Sequence, residues 1–225
     1  MVGVLGVSAS AILVRFSQAP SGVTAAYRLG WTVLLLLPVV LLRCRAELRR
    51  VTARDLVLCG ASGVLLALHF LTWFESLKRT SVASSTVLVS TEVIFTAMGF
   101  ALFLHGKIPR LGVWAILLAF GGSALLALSG GGGAGELSGN LLALATASAA
   151  AVYTLIGRIQ RGHLSTTVYT FLTYLACFLT LLLGTAAAGT PLTGYGGREW
   201  LIGLALAVLC TLLGHSLFSW CLKYL

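Results

Sequence analysis

Several long stretches of the sequence contain no Asp, Glu, Lys or Arg. Crossing the apolar core of a bilayer, about 30 Å thick, takes roughly 20 mainly apolar residues as a helix, because lipid offers no partner for an unpaired backbone amide. A water-soluble helix would instead carry charged residues along one face. Since 58% of the residues are hydrophobic and 9% are charged, we predict an all-α protein that crosses a membrane several times. These stretches include Leu56–Phe74, Leu137–Gly157, Leu164–Tyr195 and Leu201–Leu222.

Length, helix breakers and charged residues together predict about eight transmembrane helices. The first is short, since Val2–Val14 gives only about 20 Å of helix at ~1.5 Å per residue. The predicted segments are Val2–Phe16, Gly22–Leu42, Leu56–Leu77, Ser81–Leu104, Leu111–Ser129, Leu137–Gly157, Leu164–Ala188 and Glu199–Lys223.

Basic residues are concentrated in alternate connections between these segments, as the positive-inside rule expects of cytoplasmic loops. The formal net charge is +9, but its cations follow the loops instead of forming one exposed face, so no nucleic-acid partner is predicted. We predict a multi-pass protein of the plasma membrane with a cytoplasmic N-terminus. The cytoplasmic set is Arg43, Arg45, Arg49, Arg50, Arg54, Lys107, Arg110, Arg158, Arg161 and Lys223, against Arg15, Lys78, Arg79 and Arg198 on the other side.

A glycine-rich run, Gly130–Gly135, marks a seam between two halves of the chain. It matches neither the dinucleotide-binding nor the P-loop pattern, so a nucleotide site is not predicted. Five cysteines are scattered without a CxxC pair, which argues against a zinc site or a disulfide framework. We expect no cofactor and no metal.

Glu92 lies near the middle of the predicted segment Ser81–Leu104. A carboxyl group at the bilayer centre costs about 2.5–3.5 kcal/mol on insertion scales, and it often marks an ion or substrate route. At 100° per residue Ser85, Glu92 and Thr96 share one helix face. This face predicts a cavity wall where Glu92 accepts a proton or contacts a cation; the alternative is a polar contact between helices.

Two histidines and a tryptophan are further candidates for substrate or proton binding. His69 and Trp73 share a face of the third segment, and His215 has a similar place in the eighth. An imidazole can titrate and an indole offers a flat surface to a ring or a cation. For the histidines the alternative is a contact between helices, and for Trp73 it is a place in the aromatic belt at the membrane surface.

Arg28 lies six residues inside the second segment. The interpretation we favour is that its side chain snorkels to the membrane surface; the alternative is that it binds an anionic group of the substrate or pairs with a carboxylate.

Three stretches resemble the EamA-type members of the drug/metabolite transporter superfamily. HFLTWFESLKRTSVASSTVLVSTEVIFTAMGFALFLHGK, at His69–Lys107, is similar to the third and fourth helices of that family. Ala19–Arg28 resembles the start of its second helix, and Gly214–Leu225 resembles its eighth. One departure is His105-Gly106-Lys107, where the family commonly has Leu-Gly-Glu, so a role for that loop carboxylate is not carried over.

The resemblance implies a ten-helix fold of two five-helix inverted repeats around a substrate cavity. Residues 1–129 would form the first EamA-like repeat, 130–136 a linker, and 137–225 an incomplete second repeat of three helices. The last two helices of the fold would then be missing, as in a C-terminally truncated product.

The function this resemblance implies is that of a permease moving a small metabolite, amino acid or drug-like compound, in the direction of efflux. One alternative is a non-transporting fragment or subunit that needs a second copy or a complementing chain to supply helices. Another is an intramembrane enzyme, because Gly214-His215-Ser216 superficially matches a nucleophile elbow. That motif needs glycine where Phe218 stands, so no enzyme is predicted.

Overall fold

The computed structural model describes residues 2–103, 105–106, 108–129 and 134–216, and this part of the chain is helical apart from short connections. The predicted linker falls partly on residues 130–133, outside the described residues, as do Lys107, Phe218, Cys221 and Lys223. The helices are α1 (Val2–Phe16), α2 (Ser21–Arg43), α3 (Arg45–Leu48), α4 (Ala53–Arg79), α5 (Val82–Ser90), α6 (Glu92–Phe103), α7 (Arg110–Ser129), α8 (Ala134–Gln160), α9 (Thr166–Ala187) and α10 (Gly197–Ala205), which continues as a π-helical segment, Leu206–His215.

Every predicted segment overlaps one of these helices, and the all-α membrane fold is confirmed. Among the residues that the structure describes, six stretches are long and apolar enough to cross a bilayer, and a further apolar helix, Arg110–Gly122, is shorter. With 15 residues α1 is also short, as the sequence predicted. The six stretches are Ser21–Arg43, Ala53–Arg79, Val82–Phe103, Glu136–Gln160, Thr166–Ala187 and Gly197–His215.

The described residues belong to two compact units. Residues 1–67 and 156–225 form the one that we call unit 1, and residues 68–155 form unit 2. The predicted division into repeats at 1–129 and 137–225 follows chain order and stays a prediction.

Unit 1 is built on close packing between helices. In it α2 lies along α9, and α1 lies along the π-helical segment. The first half of α4 reaches α9 at Gly63, where a Cβ would lie 2.5 Å from Ala176 Cβ and 2.7 Å from the Thr173 carbonyl oxygen. Small residues at such crossings let helix backbones approach closely in membranes. Gly63 is therefore required by packing.

Gly63→Ala is expected to destabilise the protein, because the added methyl meets backbone atoms that cannot move aside. Overpacking of this kind costs about 1–3 kcal/mol, which for a chain of this size lowers the melting temperature by about 2–12 °C. Gly60 is the matched control: it lies one turn earlier in α4, and a Cβ there meets nothing within 4 Å. Thermal unfolding in detergent, followed by tryptophan fluorescence, should separate the two. Equal melting temperatures would show that the crossing tolerates a methyl group.

Unit 2 contains one departure from the predicted segments. Ser81–Leu104 is not a single helix: it is interrupted at Thr91 and divides into α5 and α6. The Thr91 hydroxyl donates to the carbonyl of Leu88 at 2.6 Å, and the amide of Ile94 bonds three residues back to Thr91 at 2.8 Å. Hydroxyl bonds to preceding carbonyls bend helices, and such tightened turns often mark hinges.

Candidate functional site

Glu92 is the first residue of α6, directly after the interruption at Thr91. The carboxylate accepts a hydrogen bond from the Thr154 hydroxyl of α8 at 2.9 Å. The side chain is half-buried. A carboxyl group in the first turn of a helix lies close to the positive ends of the backbone dipoles, so the interruption at Thr91 puts Glu92 beside a helix N-terminus inside the span.

Thr96 and Ser85 have different surroundings from each other. One turn after Glu92, the Thr96 hydroxyl is buried and has no hydrogen-bond partner among the described residues. The buried Ser85 hydroxyl instead pairs with Ser76 of α4 at 2.9 Å. The predicted shared face assumed a continuous helix, whereas the structure places Ser85 in α5 and Glu92 and Thr96 in α6. Ser85 fits the alternative of a contact between helices.

His69 and Trp73 are buried in the second half of α4, within unit 2. The His69 Nδ1 atom lies 3.3 Å from the Thr146 carbonyl oxygen of α8. The rings of His69 and Trp73 are 6.1 Å apart, and the indole nitrogen of Trp73 is buried without a hydrogen-bond partner among the described residues. The aromatic-belt alternative for Trp73 is wrong, because only 6% of the residue is exposed.

Arg28 does not snorkel to the surface, because it is fully buried in unit 1. Its Nε donates to the Thr211 hydroxyl at 2.7 Å and its Nη1 to the Ser10 hydroxyl at 3.1 Å. The guanidinium thus joins α1, α2 and the π-helical segment. The predicted snorkelling of Arg28 is wrong, because the distance of a residue from a helix end does not reveal which neighbouring helices cover its side chain.

His215 is the last residue of the π-helical segment, also in unit 1. Hydroxyl bonds spanning five residues accompany this wider helix: Thr211 donates to the Leu206 carbonyl at 3.3 Å and Ser216 to the Thr211 carbonyl at 3.2 Å. The structure thus brings Glu92, Thr96, His69, Trp73 and Ser85 into unit 2 and places Arg28 and His215 in unit 1.

Unit 1 also contains a polar cluster that sequence reasoning missed. Asp55 accepts hydrogen bonds from the Thr52 amide at 3.0 Å, from the Thr52 hydroxyl at 2.7 Å and from Gln160 at 3.2 Å. Its other contact is with the Nε2 atom of His163, at 2.7 Å. We call these four residues the Asp55 clasp. It joins the α2–α4 connection to the α8–α9 turn. Beside it, Glu47 accepts a bond from the Ser165 amide at 2.6 Å.

A second polar cluster of unit 1 joins the α1–α2 connection to the start of α10. Glu199, in the first turn of α10, accepts from the Ser17 hydroxyl at 2.6 Å and from the Gln18 amide at 3.1 Å. Next to it in sequence, Trp200 stacks on Tyr27 with ring centroids 4.1 Å apart. The α1–α2 connection thus meets the start of α10, while the α2–α4 connection meets the α8–α9 turn, as alternate crossings of a membrane require.

Unit 2 has one further feature, a cleft of about 460 Å³ between the end of α4 and the start of α8. Glu75 at its edge forms ion pairs with Lys78 at 3.7 Å and Arg79 at 3.5 Å. None of the predicted site residues lines it. The lining residues are Leu71, Thr72, Glu75, Arg79, Ser138, Leu141 and Leu142.

Residues 1–128 and 137–225 match the EamA-like transporter family. The chain belongs to this family. The resemblance found in the sequence is therefore confirmed, and the chain is a multi-pass membrane protein of a transporter family. No curated protein sequence matches it significantly.

A solved structure titled only "Crystal structure of protein" has the same fold, with a TM-score of 0.66 and 19% sequence identity. The match covers 99% of this EamA-like chain and 79% of that one. At this identity the likeness establishes the fold alone.

Proposed function

We propose that this chain is a secondary permease that moves a small metabolite, amino acid or drug-like compound out of the cell across the plasma membrane, with its N-terminus in the cytoplasm. Membership of a transporter family supports the activity, and the excess of basic residues in alternate connections supports the orientation. Export of the substrate in exchange for a proton fits the side chains available, because they include a carboxyl group inside a membrane-spanning stretch.

Glu92 carries this proposal. The sequence has six acidic residues, and five of them lie in connections or near the outer ends of helices. Glu92 alone lies in the middle of a predicted span, Val82–Phe103. Within the described residues its carboxylate has one hydrogen-bond partner, Thr154, whereas Asp55 has bonds from Thr52, Gln160 and His163. A carboxylate with few partners has room to bind a proton or a cationic group.

The interruption between α5 and α6 supports the same role. Transporters commonly use discontinuous helices near the bilayer midplane, where the ends of half-helices face ions and substrates. Here the interruption places Glu92 in the first turn of α6, one turn before the buried hydroxyl of Thr96. The interruption at Thr91 also allows α5 and α6 to rearrange locally when the carboxyl group of Glu92 gains or loses a proton.

The activity is tested by reconstituting the purified chain in liposomes that contain a pH-sensitive dye. A panel of amino acids, small organic acids and drug-like cations is added outside, across an imposed pH gradient. We expect at least one compound to move protons with the wild-type protein and not with protein-free liposomes. If the panel, together with an extract of cell metabolites, produces no protein-dependent proton movement, coupling to protons is wrong.

A further inference from the structure

The α2–α4 connection carries the densest positive charge in the chain. Five arginines lie between the last residue of α2 and the second residue of α4, and all five side chains are exposed. The short helix α3 lies within this connection. We call residues 43–54 the arginine segment; its cations are Arg43, Arg45, Arg49, Arg50 and Arg54.

The two carboxylates closest in sequence do not neutralise these arginines. Glu47 is bonded to the Ser165 amide at 2.6 Å, and Asp55 is held in the Asp55 clasp with His163 at 2.7 Å. Glu75 forms ion pairs with Lys78 and Arg79, which lie outside the arginine segment. The acidic groups thus fix the arginine segment to the α8–α9 turn and leave its guanidinium groups available to an anion.

The neighbouring residues place the arginine segment at the level of lipid headgroups. Leu42 in the last turn of α2 is 84% exposed, and Val57 in the first turns of α4 is 70% exposed. Exposed apolar residues at the ends of membrane-spanning helices face acyl chains, while arginines just beyond them reach the phosphate layer. A guanidinium binds a phosphate with two parallel hydrogen bonds, which an ammonium group does not do.

We propose that the arginine segment binds the headgroups of anionic phospholipids in the adjoining leaflet. Each cation close to an anionic membrane surface strengthens binding about fivefold at low salt, and clusters of four to eight are typical of such sites. The Asp55 clasp and Glu47 contribute by holding the backbone of the arginine segment in place, so that the side chains converge on the same headgroup layer. This site is independent of the transport activity proposed above.

The test measures lipid binding to the detergent-solubilised chain by native mass spectrometry, with dioleoyl phosphatidylglycerol against dioleoyl phosphatidylcholine at low ionic strength. Wild type should retain phosphatidylglycerol preferentially. Arg49→Gln with Arg50→Gln should weaken that binding about 25-fold, from about fivefold for each cation. Lys78→Gln with Arg79→Gln is the matched control, because it removes two cations that already have Glu75 as a partner. Arg49→Lys with Arg50→Lys should bind more tightly than the glutamine variant, because it keeps the charge, but more weakly than wild type, because it loses the paired hydrogen bonds.

Three results would overturn the proposal. The first is unchanged phosphatidylglycerol binding by the Arg49→Gln, Arg50→Gln protein. The second is an equal loss in the Lys78→Gln, Arg79→Gln control, which would indicate a general effect of net charge. The third is equally strong competition by water-soluble glycerol phosphate, which would assign the ligand as a free phosphate. A melting temperature within about 2 °C of wild type, the effect of under about 1 kcal/mol, confirms that each variant is folded.

Discussion

Glu92→Gln is expected to abolish pH-driven accumulation of the transported compound while exchange of that compound across the membrane continues. Exchange needs only binding and the conformational change, whereas accumulation against a gradient needs a group that carries the proton. A difference of about one pH unit corresponds to about 1.36 kcal/mol, enough for about a tenfold accumulation per proton. Glutamine keeps the shape of the side chain and its contact with Thr154 but does not titrate, so the accumulation ratio should fall to about one.

The measurement compares gradient-driven uptake with counterflow in the same liposomes. Ser90→Ala is the matched control: Ser90 is the last residue of α5, two positions before Glu92, and its exposed side chain bonds only to the Thr86 carbonyl among the described residues. It should keep both activities. Continued accumulation by Glu92→Gln would exclude Glu92 as the coupling group. Loss of counterflow as well, in a protein with the wild-type melting temperature, would assign it to substrate binding instead.

The helices could be predicted from sequence because the decisive information is local. Charge-free runs of bilayer length define the spans, and Ser81 and Ser165 cap the starts of α5 and α9 by accepting bonds from amides three residues on. The interruption at Thr91 was missed, because it lies inside an otherwise uninterrupted apolar run and the close hydrogen bonds that accompany it cannot be read from sequence. Serine followed by threonine in mid-span was the available signal.

The candidate site was less predictable, because it depends on which helices meet. Glu92 stood out as a charge inside a span, but its partner Thr154 lies 62 positions away on α8, and no periodic pattern links them. Arg28 was misjudged for the same reason, since Ser10 and Thr211 come from other elements. The cap at the start of α4 was visible in sequence: Thr52 and Asp55 have the spacing of a capping box. The further contacts of Asp55 with Gln160 and His163 could not be predicted from sequence, because these residues lie more than 100 positions away.

Cys59 can report on local opening of the Asp55 clasp, because its sulfur contacts Gln160, one of the four residues of the clasp. Cys59 lies one turn after Asp55 in α4 and is 1% exposed. Its sulfur is 3.7 Å from the side-chain nitrogen of Gln160, and that nitrogen also donates to Asp55. We therefore expect access of water to Cys59 to depend on whether Gln160 stays in place. Cys177 and Cys210 are buried elsewhere in unit 1, so they report loosening of the whole unit.

We expect Asp55→Ala to raise the rate at which a membrane-impermeant maleimide labels Cys59, measured by mass spectrometry of peptides, with Cys177 and Cys210 unchanged. Loss of a helix cap costs about 1 kcal/mol and loss of a charged hydrogen bond about 1.5–3 kcal/mol. Local opening should therefore become at least about tenfold more frequent, each 1.4 kcal/mol being a factor of ten.

His163→Ala should have a smaller effect, because the His163 side chain is 53% exposed and its loss leaves the contacts of Asp55 with Thr52 and Gln160 intact. Glu75→Gln, also in α4, should have none. Parallel increases at Cys177 and Cys210 would mean that Asp55 supports the fold of unit 1 as a whole, and an unchanged rate at Cys59 would mean that the clasp does not control access to it.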